Sequence, residues 1–130
     1  MKGEGVAERS VAFADMRRAL LDYVRDIPPR AVVEIGTLAQ SLNIPSRHAA
    51  YMLLMLSDDE RASVPWHREL PKSGAFPPAQ RERPHTAQQF AMLKAEGAVF
   101  NGPWYLDLKA TALWHPPQTH AATFWADFED

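Results

Sequence analysis

Cysteine is missing altogether from this chain. That absence removes disulfides, thiolate catalysis and thiolate-ligated metal together. No window approaches the ~18 apolar residues that a membrane span requires. The opening MKGEGVAERS holds no apolar core of the kind a secretory signal needs. A soluble cytoplasmic protein with no membrane partner is the expectation. Charge of one sign is lacking as well: 14 Lys and Arg face 16 Asp and Glu, a net of −2, which argues against a generic polyanion binder. What is present, 46% hydrophobic residues in 130, suits one domain around one core.

The charges are unevenly spread. From Arg61 to Arg83 five basic residues (Arg61, Arg68, Lys72, Arg81, Arg83) stand against two acidic ones (Glu69, Glu82), whereas the last twenty residues have no Lys or Arg and hold Asp127, Glu129 and Asp130. Three segments follow: a polar, glycine-bearing and flexible lead over 1–9, a folded domain over 10–116, and an aromatic-acidic tail over 117–130.

Within the domain, Ser10 is placed to cap a helix whose apolar residues Phe13, Met16, Leu20, Val24 and Ile27 recur every three to four positions, up to Pro28-Pro29. AVVEI (31–35) predicts a short strand or extended segment. A short helix follows through Leu38, Ala39 and Leu42, with Asn43 as its left-handed cap. Ser46 then caps RHAAYMLLML, so the two helices read as a helix-turn-helix. Ser57 and Glu60 have the spacing of a capping box, as do Thr86 and Gln89. The proline-rich stretch between these boxes predicts a loop carrying a small hairpin, "HRELPKSGAF", a wing. Ala87, Phe90 and Leu93 share a face of the last helix, which Gly97 ends. The fold class predicted is mainly α with a small β hairpin, a winged helix-turn-helix-like single domain.

The segment VPWHREL (64–70) places Trp66, His67 and Arg68 behind Pro65. Its position after a helix-turn-helix, followed by Ser73-Gly74, "LKAEG" (93–97), Asp107-Leu108 and Trp114, resembles the DNA-binding domain of the O6-alkylguanine-DNA alkyltransferases. In particular, it resembles the alkyltransferase-like proteins, over roughly residues 10–116. Where the alkyltransferases have Pro-Cys-His-Arg, those relatives replace the Cys, commonly by Trp. The resemblance implies that Trp66 stands at the Cys position, His67 at the activating His and Glu96 at the Glu that orients it. Without sulfur there is no alkyl acceptor, so the expectation is no enzyme, no cofactor and no metal. His67 and Glu96 could in principle activate water, but no metal-ligand spacing and no Ser/His/Asp set accompanies them. The structural alternative is that His67 satisfies hydrogen bonds under the loop and Glu96 supports a helix end.

The resemblance further implies a base-flipping pocket for an alkylated guanine, formed by Pro65, Trp66, His67 and Arg68, with Trp66 as an aromatic wall. DNA contacts would come from Arg47, Ala49, Ala50, Leu54, Arg61 and Lys72, the cations (with Arg68) meeting phosphates and the alanines allowing close approach to the minor groove. Departures are visible. Ile35 occupies the place of the family's Tyr, and Leu54 that of the Arg that enters the vacated base stack. Glu69 replaces an apolar residue.

Two functions are therefore weighed. One is a non-enzymatic binder of O6-alkylguanine lesions in double-stranded DNA that signals to a repair protein. The alternative is a protein-protein interaction module without base flipping, docking a partner or a second copy through the apolar helix 49–56 or the tail. A tail folding onto the basic segment in cis, its carboxylates standing in for phosphates, would link the two.

Overall fold

The computed structural model describes residues 2–117, with side chains from residue 12 onward. Helix α1 (Lys2–Asp26) leads to strand β1 (Ala31–Glu34), helices α2 (Ile35–Leu42), α3 (Ser46–Leu54) and α4 (Asp58–Ser63), and strand β2 (Glu69–Leu70). A short α5 (Pro78–Arg81), the long α6 (Pro84–Ala95) and strand β3 (Ala112–Leu113) complete it. The mainly helical single domain expected from the sequence is found. Among the described residues, no helix is long and apolar enough to cross a membrane. The expected tail, and its docking in cis, lie outside the described residues beyond Pro117.

Helix α1 begins at Lys2, not at a Ser10 cap after a flexible lead. Its two early glycines each cost only about 1 kcal/mol relative to alanine, too little to break a run otherwise made of tolerable helix formers. The buried stripe is Leu20, Leu21, Val24 and Ile27, while Phe13 is 48% exposed and leaves the stripe predicted for it. Pro28-Pro29 ends the helix as expected.

The helix-turn-helix forms. Asn43 adopts φ 55°, ψ 46°, with its N–H on Gln40 O at 3.1 Å and the Ile44 N–H on Ala39 O at 3.0 Å, the paired bonds of a Schellman ending. Ser46 is the first residue of α3 and caps nothing. Pro45, already extended at φ −63°, ψ 143°, is the cap, and its carbonyl accepts from His48 N–H at 3.0 Å. The helix 49–56 is not buried all round: Ala49, Met52, Leu53 and Leu56 face the core, while Tyr51, Leu54 and Met55 are exposed. Ser57 and Glu60 make the capping box of α4. Glu60 also accepts two bonds from Arg17 Nη2, at 2.7 and 2.6 Å, tying α4 to α1.

The predicted hairpin does not form. Instead, β1 lies centrally in a three-stranded sheet of order β2-β1-β3, pairing in parallel with both neighbours: Val33 with Glu69, Glu34 with Leu70, Ala31 with Ala112, Val32 with Leu113. Pro71 ends β2 and removes a ladder donor. A 3₁₀ turn (Lys72–Gly74) with Ser73 and Gly74 at φ 61° and 72° then carries the chain away, leaving no return strand beside β2. A Cβ at Gly74 would stand 2.7 Å from Leu106 O, so this glycine permits a backbone crossing as well as the turn.

Alternation along β1 divides the core. Ala31 and Val33 join α1, α2 and α3, with Leu38, Leu42, Met52 and Trp66 among their partners. Val32 faces the other way, with Leu70, Phe76, Leu93 and Leu106. Phe90 closes this second cluster, its ring 4.7 Å from Phe76, 4.9 Å from Phe100 and 5.7 Å from Trp104. The Thr86–Gln89 capping box is absent because α6 starts three residues earlier, at Pro84, with Arg83 as its N-cap. Thr86 donates to Gln80 O, and Gln89 is buried and bonded elsewhere, whereas Ala87 is exposed.

A candidate nucleic-acid lesion pocket beside the helix-turn-helix

Trp66, His67 and Arg68 form a single 3₁₀ turn between α4 and β2. Four hydrogen bonds fix it. Trp66 N–H donates to Val64 O at 2.8 Å and Arg68 N–H to Pro65 O at 3.1 Å, while Gln89 Nε2 reaches from α6 to His67 O at 3.2 Å and Glu69 O at 2.8 Å. A buried glutamine amide thereby satisfies two carbonyls that the turn would otherwise leave unpaired.

The side chains of the triplet then diverge. His67 turns inward to Glu96, Nε2 to Oε1 at 3.0 Å, bringing together the pair that the sequence suggested. A carboxylate only accepts, so Nε2 carries the proton. Nδ1 is buried without a partner among the described residues. Arg68 also turns inward. Its Nε lies 3.0 and 3.1 Å from the two Glu96 oxygens, Nη2 bonds the same carboxylate, and Nη1 donates to Ile27 O at 2.9 Å. Burial pushes the Glu96 carboxyl up, but the bonds from Arg68 and His67 and the charges of both outweigh it and hold the carboxyl at about 2. Arg68 therefore ties the triplet to α1 and to the end of α6 and turns away from the cavity at which a phosphate or lesion contact is expected of it.

Trp66 faces the opposite way, only 6% exposed overall, and forms one wall of an open cavity of about 380 Å³. His85 stands edge-on to its ring at 5.9 Å, and the Arg61 guanidinium lies 4.8 Å from the ring centroid. Arg47, Ala50, Leu53 and Leu54 bring α3 to the cavity, and Ile35 contributes the start of α2. Of the four residues proposed for the pocket, only Trp66 lines it. His67 and Arg68 are turned toward Glu96, and Pro65 is half-buried outside the lining. Of the proposed DNA contacts, Arg47, Ala50, Leu54, Arg61 and Lys72 border the cavity. Ala49 does not, because it is fully buried where α3 packs on α2.

The basic segment of the sequence is thus divided by the fold. Lys72 and Arg83 reach the cavity, where Arg47 of α3 joins them. Arg61 reaches it while donating Nη2 to Leu53 O and Leu54 O at 3.2 and 3.0 Å, capping the end of α3. Arg81 is drawn off by Phe76 O at 3.0 Å and by the Trp104 ring. Sequence reasoning assigned Arg83, His85, Gln80 and Gln89 no place in the site, yet all four line it. The excess of cations over 61–83 signalled Arg83, but Gln89 carried only its misleading capping-box spacing. Among the described residues, no group of three His, Asp or Glu is placed to hold a metal ion.

Glu69 completes the lining. Parallel register puts it beside Val33, on the sheet face toward α1–α3 and away from the second core cluster. Burial pushes its carboxyl up to about 7, Arg83 opposing the shift.

No family model and no curated protein sequence matches the chain. Solved structures do. One is Atl1 of S. pombe in complex with damaged DNA containing O6-carboxymethylguanine, at 22% identity and TM-score 0.67 over 79% of this chain and 97% of that one. Another is S. pombe ATL in complex with DNA, at 21% identity and TM-score 0.64 with the same coverage. The alkyltransferase-like fold implied by Pro65-Trp66-His67-Arg68 and its surroundings is therefore the fold this chain adopts.

Proposed function

We propose that this protein is a non-enzymatic DNA-binding protein that holds an O6-alkylated guanine, flipped from the duplex, in the cavity beside α3, and so flags the lesion for repair. The observation that carries this reading is the cavity itself. An aromatic wall, Trp66, stands within a rim of four cations, Arg47, Arg61, Lys72 and Arg83, next to the second helix of a helix-turn-helix. Bases stack on aromatic faces, and cations supply phosphate affinity with its dependence on salt. Support comes from the fold shared with Atl1, whose structure holds damaged DNA. The chain has no cysteine to accept an alkyl group, so the lesion would be bound and left intact. Leu54, 41% exposed on α3, would act as an apolar wedge where the family uses Arg.

Fluorescence anisotropy against short duplexes with and without one O6-methylguanine, at two salt concentrations, tests the reading. Tighter binding to the lesion duplex, weakened by Trp66→Ala in a variant verified as folded, is the expected result. The exposed apolar residues Tyr51, Leu54 and Met55 favour a second reading, docking of a protein partner or a second copy on α3. Absence of binding to either duplex at low salt would overturn the first reading in its favour.

A further inference from the structure

Among the described residues, Glu69 is the one carboxyl that lines the cavity. Its backbone is held in place while its carboxyl is left unengaged. Its carbonyl is pinned by Gln89 and its strand by β1, yet no hydrogen bond within the described residues engages its carboxyl. A half-buried acid whose carboxyl has no hydrogen-bond partner among the described residues thus faces a cavity otherwise rimmed by cations, where it can pair with what enters.

We infer that Glu69 is a specificity-determining residue that reads the Watson–Crick edge of the base in the cavity, its carboxyl facing N1 and the 2-amino group of an O6-alkylguanine. The inference rests on the lesion-binding function proposed above. Guanine carries a proton on N1, and alkylation at O6 removes it. The lesion therefore offers an acceptor beside a donor, whereas guanine offers two donors. A neutral carboxyl is the bidentate complement of the first edge and a carboxylate that of the second. The protonation state of one side chain thus distinguishes the lesion from its parent base. Adenine and cytosine present an acceptor beside a donor as well, so the discrimination is directed against unmodified guanine.

The elements around Glu69 set which form prevails. Arg47 comes from α3, Arg61 from α4, Lys72 from the 3₁₀ turn, and Arg83 and His85 from the start of α6. Of these, Arg83 opposes the shift of Glu69, and burial outweighs it, pushing the carboxyl up to about 7. His67 is engaged by Glu96, and Glu34, on the opposite sheet face, accepts from Ser73 N–H at 2.8 Å. Burial thus favours the neutral form in the empty cavity, and pairing with the lesion favours it further. Lesion preference falls as pH rises.

The test measures the affinity of the full chain for duplexes carrying O6-methylguanine or guanine at one position opposite cytosine, at pH 6 and pH 8 and matched salt. The ratio of the two affinities should be about fivefold or more greater at pH 6 than at pH 8, the low end of what a bidentate base contact discriminates. Glu69→Gln, whose amide donates and accepts at either pH, should keep a lesion preference that is the same at both. A wild-type preference that does not change with pH, or that changes equally in Glu69→Gln, overturns the role of Glu69 while leaving lesion binding intact. No preference in either protein at either pH overturns lesion binding, and this inference with it.

Discussion

His67 Nε2 lies 3.0 Å from Glu96 Oε1, and Arg68, the next residue, grips the same carboxylate. A charge pair with Arg68 and Glu96 side chains only 14% and 20% exposed is costly to break on one side, because the partner stays desolvated. Glu96→Gln should lower stability by about 2–3 kcal/mol at neutral pH, toward the lower end for a pair that retains some solvent. The carboxyl is held at about 2 against an ordinary 4.5. Its stabilisation is therefore complete above pH 4.5 and lost as pH falls toward 2. Urea denaturation of wild type and Glu96→Gln should show a gap that narrows across this window. A gap that persists unchanged at pH 2.5 would mean that the carboxylate is not the stabilising group.

This pair shows what the sequence could convey. His67 and Glu96 are 29 residues apart, and only the motif order joined them. The helix-turn-helix was legible locally, because Asn43 takes the left-handed conformation that ends α2. The sheet was not, since two-residue strands such as Glu69–Leu70 and Ala112–Leu113 are too short to display a period of two. Their partner β1 is also distant in sequence, and local patterning carries only the contiguous alternative, a hairpin. The cations posed a further problem. Arg61, Arg68 and Lys72 are alike in charge, yet one caps α3, one grips Glu96, and the third borders the cavity with no side-chain hydrogen bond among the described residues. Those differences arise from partners in other elements and leave no local mark.

Glu69 gives a stability prediction independent of DNA. Burial pushes its carboxyl up to about 7 in the fold against an ordinary 4.5. Between these values the folded protein retains a proton that the unfolded chain has released, so stability declines as pH rises from 4.5 to 7 and levels off above. The decline is at most about 3 kcal/mol. Glu69→Gln removes it, and should be more stable than wild type at pH 8 but little different at pH 4.5. Thermal unfolding at the two pH values checks this. Equal differences at both would show that Glu69 ionises normally.

Arg61 and Lys72 should separate cleanly. Arg61 bonds two carbonyls at the end of α3 and lies over Trp66, so Arg61→Ala should cost about 1–3 kcal/mol of stability. Lys72 is exposed at the cavity rim, and Lys72→Ala should leave stability within about 0.5 kcal/mol. In DNA binding, however, Lys72→Ala should weaken lesion and unmodified duplexes by the same factor and reduce the slope of log affinity against log salt by about 0.9. A slope unchanged by Lys72→Ala would remove this lysine from the phosphate contacts.

Leu54 allows the opposite manipulation. It is 41% exposed on α3 and lines the cavity, so an Arg there meets solvent and no core residue is displaced. A leucine can only wedge between bases, whereas a guanidinium can fill a vacated stack and pair with the polar edges left behind. Leu54→Arg should therefore tighten binding to the O6-methylguanine duplex about five- to tenfold, the value of one charge-assisted hydrogen bond or slightly less. The unmodified duplex should gain less, because its guanine is harder to extrude from a stable pair. Equal gains on both duplexes would assign the effect to phosphate attraction alone. A loss on the lesion duplex would show that the apolar side chain is itself the better wedge in this protein.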